Sequence, residues 1–336
     1  MFLKLLDRWD ESRAVRGEQA KSLEDFVVGS ELAFPQAGAG LSFDEFCGWA
    51  DTAKADPAYY DMPAGYAPRI DAEDGWLRFP SAVQSHMPAN DRVTAKITQN
   101  GPSQRALIVF HHWNASSRQS ALAGYFARLG WTVVEVSMPY HFERSRPGAA
   151  HADYMLSANV GRTLQSVRQA VLDGRAVVRW LADRGFRQIA VLGMSLGSWV
   201  AGLVAAHDPA VSKASLFLTA DSLADMVWSG RATRAIRQSL EPAVDLSGLR
   251  RAWGPADLGC YAQRLARSDL NLHVVLARRD TVVLPDLTRR FVGQLQAAGA
   301  DPVLKELPCG HYSLALPPFG LMAGLSLKRF LESDSS

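Results

Sequence analysis

The 336-residue chain has little of what would set it apart from ordinary globular proteins. Its three cysteines, Cys47, Cys260 and Cys309, lie far apart, a spacing that offers neither a disulfide framework nor a metal-ligand pattern. A reduced, cytoplasmic protein is therefore the expectation. Neither sign of charge prevails: 36 Lys and Arg against 34 Asp and Glu leave a net charge of +2. That balance makes no electrostatic case for nucleic acid or an anionic membrane as partner. Long apolar runs are also missing. The longest, such as 199–206, fall far short of the roughly 18–20 residues that a bilayer requires, so no membrane span is expected. The opening "MFLKLLDRWDESR" is broken by Lys4 and then turns charged; it lacks the apolar core and cleavage site of a signal peptide. No internal repeat, low-complexity tract or long linker stands out.

What the chain does have is enough apolar sequence, 48% of residues, for a large buried core. From about residue 76 strand-like and helix-like segments alternate. Residues 75–83 and 91–100 read as two strands joined by a turn region at 86–90. Segments 105–110, 131–138, 188–193, 213–220, 271–277 and 302–308 read as further strands. Helices are expected at 117–129, 159–184, 195–206, 286–298 and about 317–332. In 159–184, apolar Val160, Leu164, Val167, Val171, Val178 and Leu181 recur mostly at spacings of three and four, the mark of an amphipathic helix. This alternation predicts an α/β protein with a mostly parallel central sheet and helices on both faces. Residues 221–269, rich in Trp and Arg, interrupt the rhythm as a helical insertion. Residues 1–75, with a loose "PQAGAG" stretch at 35–40, form an N-terminal extension whose placement the pattern leaves open. The expected division is thus 1–75, a core of 76–220 and 270–336, and a cap of 221–269.

At the junction of strand 188–193 and helix 195–206 stands "GMSLG", with Ser195 between Gly193 and Gly197. Such a pentapeptide arises by chance in roughly 10–20% of chains this long, so its surroundings decide. A serine at a sharp strand-to-helix turn has its hydroxyl exposed above the sheet, with small neighbours letting strand and helix approach. The helix N-terminus behind it favours developing negative charge. A base follows in the chain: His311, in "LPCGHYSLAL", sits just after the last strand. His273 alternates within an apolar strand and reads as a core residue, and His207 reads as a solvent-exposed residue at a helix end. An imidazole also needs a carboxylate to hold its tautomer. Asp280 follows strand 271–277 at its C-terminal end, where active sites collect in open parallel sheets. Asp221, after strand 213–220, is the rival, and Asp280 could instead cap a turn.

In the order Ser195, Asp280, His311, with the elbow "GMSLG", the acid loop "DTVVLP" and the histidine loop "GHYS", residues 76–332 resemble an α/β-hydrolase fold protein of serine-esterase type. The resemblance implies a catalytic triad and an acyl-enzyme intermediate. It also implies an oxyanion hole of two backbone amides, one from Leu196 and one from the loop after strand 105–110. That loop reads "HHWN" where many relatives carry glycine, so Trp113 is favoured and His112 remains the alternative. Adjacent His111 and His112 project to opposite sides with no third ligand in view, so neither metal nor cofactor is expected.

The substrate is expected to be a small acyl compound, with carboxylic esters the broadest reading. Acyl transfer, thioester or lactone hydrolysis, or ligand binding without catalysis are the alternatives. A peptidase of the acylaminoacyl or prolyl type would usually bring a large N-terminal propeller, for which 75 residues leave no room. Met194, Tyr140, Phe142, Arg144, Trp228 and Tyr312 are the candidate substrate-binding residues. Arg144 or Arg146 would read an acidic group, although a solvated loop with structural ion pairs is the plainer account. Trp228 and Trp253 would give the cap an apolar surface above the nucleophile. Arg231, Arg234 and Arg237, three apart, are expected on one helix face. Cys309 reads as packing, and the oligomeric state is not legible.

Overall fold

The computed structural model describes residues 2–19 and 24–333. Helices α1 (Phe2–Gln19), α2 (Ser30–Ala33) and α3 (Phe43–Ala55) come first. Ser42 starts α3 by accepting the Glu45 N–H, while the Glu45 carboxylate takes the Ser42 N–H at 2.8 Å, a reciprocal cap. Strands β1 (Asp71–Glu73), β2 (Trp76–Pro80) and β3 (Arg92–Thr98) follow as an antiparallel meander. The alternating part comprises β4 (Arg105–Phe110), α4 (Ser120–Arg128), β5 (Thr132–Val136), α5 (Val160–Ala182), β6 (Gln188–Met194), α6 (Leu196–His207) and β7 (Val211–Phe217). An insertion of short helices, α7 (Leu223–Ser229), α8 (Arg234–Leu240), α9 (Leu246–Ala252) and α10 (Ala262–Leu265), leads to β8 (Asn271–Ala277), α11 (Pro285–Ala297), β9 (Val303–Leu307) and α12 (Phe319–Glu332).

The nine strands form one sheet in the order β1-β2-β3-β5-β4-β6-β7-β8-β9. The six from β5 to β9 run parallel, and β3 joins them antiparallel through β5. Parallel central strands are covered on both faces, so they read as unbroken apolar runs. In β4, Ile108 and Phe110 face one hydrophobic cluster and Leu107 and Val109 the other. Because the parallel strands share a direction, the loops after β4, β6, β8 and β9 all emerge at one edge.

The N-terminal segment docks on this core. Val27 donates its N–H to Ala158 O and accepts from Val160 N–H, and Gly161 N–H reaches Val28 O at 2.8 Å. The approach is so close that a Cβ on Gly161 would lie 1.9 Å from Gly29 O. Helix α3 lies against α9, and Tyr60 Oη donates to Pro255 O at 2.8 Å. The extension and the insertion thus pack on one another as well as on the sheet.

Three expectations change here. His207 is not solvent-exposed: its ring is buried between Tyr60 and Tyr261, which arrive from the extension and the insertion, and its Nδ1 bonds Leu203 O. Arg231, Arg234 and Arg237 do not share one helix face, because residues 231–233 form a 3-10 turn and α8 begins at Arg234. Arg231 pairs with Glu11, and Arg237 with Glu241. Trp253 offers no open apolar surface, being fully buried with its indole N–H on Val160 O.

Candidate active site

Ser195 occupies the single residue between β6 and α6, with φ 51° and ψ −125°. A side chain rarely adopts positive φ, and the surrounding contacts impose it. Ser195 N–H extends the ladder to Phe217 O at 2.8 Å, while Ser198 donates both N–H and Oγ–H to Ser195 O. A Cβ on Gly193 would stand 2.2 Å from Gly197 O, and one on Gly197 would stand 2.4 Å from both Phe110 O and His111 O. Glycine at 193 therefore lets strand and helix close. Glycine at 197 lets the loop after β4 press against the N-terminal turn of α6, where N–H groups have no intrahelical partner.

Asp280 leaves the end of β8 buried, and its two oxygens are divided. Oδ1 accepts Val282 N–H at 2.7 Å and Val283 N–H at 2.9 Å; Oδ2 lies 2.8 Å from His311 Nδ1. Facing a carboxylate, Nδ1 carries the proton, which leaves Nε2 as the basic nitrogen. The turn-capping role and the imidazole-holding role belong to one residue. Asp221, the rival, is engaged with Arg290 and Gln294 instead. His273 is buried between Ser215 and Ser326 hydroxyls. Ser195 Oγ makes no hydrogen bond to His311 among the described residues; catalytic contacts are often loose without substrate.

The loop after β4 is pinned by neutral histidines. His111 is buried; its Nε2 accepts Met138 N–H, so its Nδ1–H donates to His112 O at 2.8 Å. His141 Nε2 accepts Asn114 N–H at 3.0 Å and its Nδ1 bonds Pro139 O. Burial drives the basicity of His111 well below the ordinary imidazole range and that of His141 down to about 4. Asn114, at φ 55°, turns the chain, and its side chain accepts Ala152 N–H at 2.8 Å. Trp113 is held through its indole N–H on Ala152 O. His112 basicity is lowered chiefly by burial, with His311 adding to the fall. Sequence reasoning missed His141 and Asn114, whose partners come from other loops.

The insertion reaches both sides of this constellation. Arg231 N–H donates to Thr281 O, next to Asp280. Ala235, Ile236 and Ser239 join Trp113 around a cavity of about 20 Å³, room for a single water. Cys309, two residues before His311, is buried, and burial pushes its thiol up to about 12.

Of the six candidate substrate contacts, Met194 and Tyr312 flank Ser195 and His311 in the chain. The Tyr312 ring meets the His311 ring edge-on at 5.3 Å. Trp228 is half-buried beneath the Arg237 guanidinium. The remaining three are corrected. Arg144 is wholly buried and bonds Asp173, Asn90 O and Ser137 O, so it cannot read a substrate. Tyr140 is buried against Tyr154, and Phe142 packs on His111 and Arg118 behind the loop. The segment carries structural ion pairs, Arg144 drawn inward by Asp173 from α5 and Glu143 held by Arg118, while Pro147, Gly148 and Ala150 stay exposed and Asp153 lines the cavity at Trp113. Arg146 stacks on Tyr154.

No protein-family model and no curated protein matches the sequence. Solved structures do match in shape. Acetyl xylan esterase 1 from Thermoanaerobacterium sp. JW/SL YS485 superposes with a TM-score of 0.60 at 19% identity, over 87% of this chain and 94% of that one. An acetyl xylan esterase from Paenibacillus sp. R4 gives 0.59 at 14%, over 90% and 98%. The Pyrococcus horikoshii acylaminoacyl peptidase gives 0.58 at 10%, over 80% of this chain and 42% of that one. At such identities the likeness speaks for architecture, and with the sheet order above it gives the chain the α/β-hydrolase fold.

Proposed function

We propose that the protein is a serine hydrolase that cleaves a carboxylic ester or related acyl bond through Ser195, His311 and Asp280. The observation that carries this reading is the buried Asp280 carboxylate on His311 Nδ1, at the same sheet edge as a serine held at positive φ. His311 Nε2 takes the proton as Ser195 Oγ attacks the acyl carbonyl. Leu196 N–H, with Trp113 or His112 N–H, stabilises the oxyanion. The imidazolium, steadied by Asp280, then protonates the leaving group, and water attacks the acyl-enzyme by the same route. The insertion serves as the cap, since it bonds the acid loop on one side and meets Trp113 on the other.

The likeness to two acetyl xylan esterases recommends acetyl esters as the first substrates to try. Three unpaired thiols, two of them buried, suit a reducing compartment such as the cytoplasm. Among the described residues no helix is long and apolar enough to cross a membrane.

The test is covalent labelling by a fluorophosphonate, read by intact mass on wild type and Ser195→Ala. One adduct on wild type and none on the variant is expected. Ester turnover in the variant should fall by a factor on the order of 10⁶. Full turnover in a folded Ser195→Ala protein would sink the assignment.

A further inference from the structure

Helix α1 is joined to the candidate site by three acids on one face. Asp7, Asp10 and Glu11, with buried Ala14, recur at the spacing of a helical stripe. Asp7 pairs with Arg279, the residue before Asp280, through Nε at 2.6 Å and a second contact. Arg279 N–H in turn holds Cys309 O at 2.9 Å, tying the acid loop to the histidine loop. Glu11 takes Arg231 Nε at 2.8 Å.

Asp10 is the central member and is itself buried. Its Oδ1 accepts Tyr312 N–H at 2.7 Å and Ser313 N–H at 3.0 Å, and its Oδ2 accepts the Ser313 hydroxyl. Ser313 Oγ also takes Gly310 N–H at 2.9 Å, so the turn around His311 closes on this one carboxylate. Room for it exists only because residue 310 is glycine: a Cβ there would lie 2.5 Å from Asp10 Oδ2. Asp10 therefore caps the 3-10 turn Ser313–Ala315 from a helix some 300 positions away in the chain. Asp280 holds the imbedded nitrogen of His311, but it cannot hold the backbone that carries the ring. A charged acceptor on two successive amides does so directly.

We propose that Asp10 is a positioning residue for His311, so that the N-terminal helix completes the catalytic machinery instead of merely covering it. The inference rests on the serine-hydrolase reading above. The flanking pairs Asp7–Arg279 and Glu11–Arg231 are partly exposed and contribute little stability; their effect is to keep α1 in register while Asp10 sets the loop.

The experiment compares wild type, Asp10→Ala and Asp10→Asn in the full chain, well below their melting temperatures. It measures ester kcat and KM across pH, fluorophosphonate labelling rate, and hydrogen exchange of amides 310–314. Asp10→Ala should lower kcat and labelling by about 10- to 100-fold with KM little changed, the cost of misplacing a catalytic group by about an ångström. Asp10→Asn, which keeps the Oδ1 acceptor, should recover most of the loss, and exchange at 312 and 313 should quicken in Asp10→Ala. A folded Asp10→Ala with wild-type kcat and pH profile overturns the inference while leaving the triad standing. Failure of wild type itself to label or turn over overturns the triad and this inference together. Should Asp10→Ala not fold, Gly310→Ala carries the decision: it drives a methyl into Asp10 and should lower kcat, and a folded Gly310→Ala with wild-type kcat overturns the inference.

Discussion

Arg144 holds a full positive charge out of reach of solvent, and each of its three guanidinium nitrogens finds an acceptor. Nε and Nη2 donate to Asn90 O, and Nη1 to Ser137 O and to Asp173 Oδ2 at 2.8 Å. Asp173 also accepts the Ser81 hydroxyl at 2.7 Å, yet burial still pushes its carboxyl above the usual range. A charge so placed acts on stability, because removing one partner strands the other without water. Arg144→Met should lower the unfolding free energy by about 3–5 kcal/mol in urea titration. The KM of the surviving folded enzyme should stay at its wild-type value. A raised KM at unchanged stability would restore a substrate-reading role to this arginine. The sequence allowed structural ion pairs for this loop but did not name the partner, since Asp173 reads as an ordinary charged position on a helix until α5 is laid against the loop after β5.

At the scale of elements, the elbow works by the contact of three pieces: the end of β6, the first turn of α6 and the loop after β4. Gly193 is the thinnest point of that contact. Gly193→Ala puts a methyl 2.2 Å from Gly197 O and 2.5 Å from Ser198 Cα, both backbone atoms that cannot swing aside. Such overpacking costs about 1–3 kcal/mol. Shifting Ser195 should slow fluorophosphonate labelling by a factor on the order of 10². A melting curve and a labelling time course check both; wild-type labelling in the variant would mean the elbow tolerates displacement. Elements of this kind were legible because their signals are local. Strands 105–110 and 271–277 coincide with β4 and β8 to the residue, since buried parallel strands are bounded apolar runs. Helix 159–184 likewise differs from α5 by one or two positions at each end. Helix α1 was not legible as part of the site: its inward face carries Asp7, Asp10 and Glu11, and a polar stripe that meets polar partners looks like a solvated one. Ser195, Asp280 and His311 drew attention through local signals, a glycine-flanked strand-to-helix turn and two loops that follow strands, taken in their order along the chain. The Asp10, His141 and Asn114 contacts could not, because each joins segments brought together only by the finished sheet.

Across the whole molecule, burial has removed several histidines from water as neutral rings. His141, His207 and His273 are each pushed down to about 4, with burial the main cause, and His111 lies well below its ordinary value. His207 shows how this arises over long range: a helix-end residue becomes interior because Tyr60 and Tyr261 close over it from two distant segments. The sign of the consequence follows from linkage. In the unfolded chain these rings take up protons below about pH 6.5; the folded protein resists until about 4 for the three. Between those values the unfolded state binds more protons, so stability falls as pH falls. Asp173 and Asp257, whose carboxyls burial raises, act with the opposite slope and offset part of the loss. A difference between two variants cancels those shared carboxylates. His207→Gln keeps a donor for Leu203 O but loses the ring between the two tyrosines, so it should be less stable than wild type at pH 7. On moving to pH 5, wild type alone bears the cost of a neutral buried ring at 207, a difference of about 2 kcal/mol. The stability gap between the two should therefore shrink by that amount in urea titrations at the two pH values. A gap that stays constant would mean that His207 takes up its proton as readily in the folded protein as in the unfolded chain.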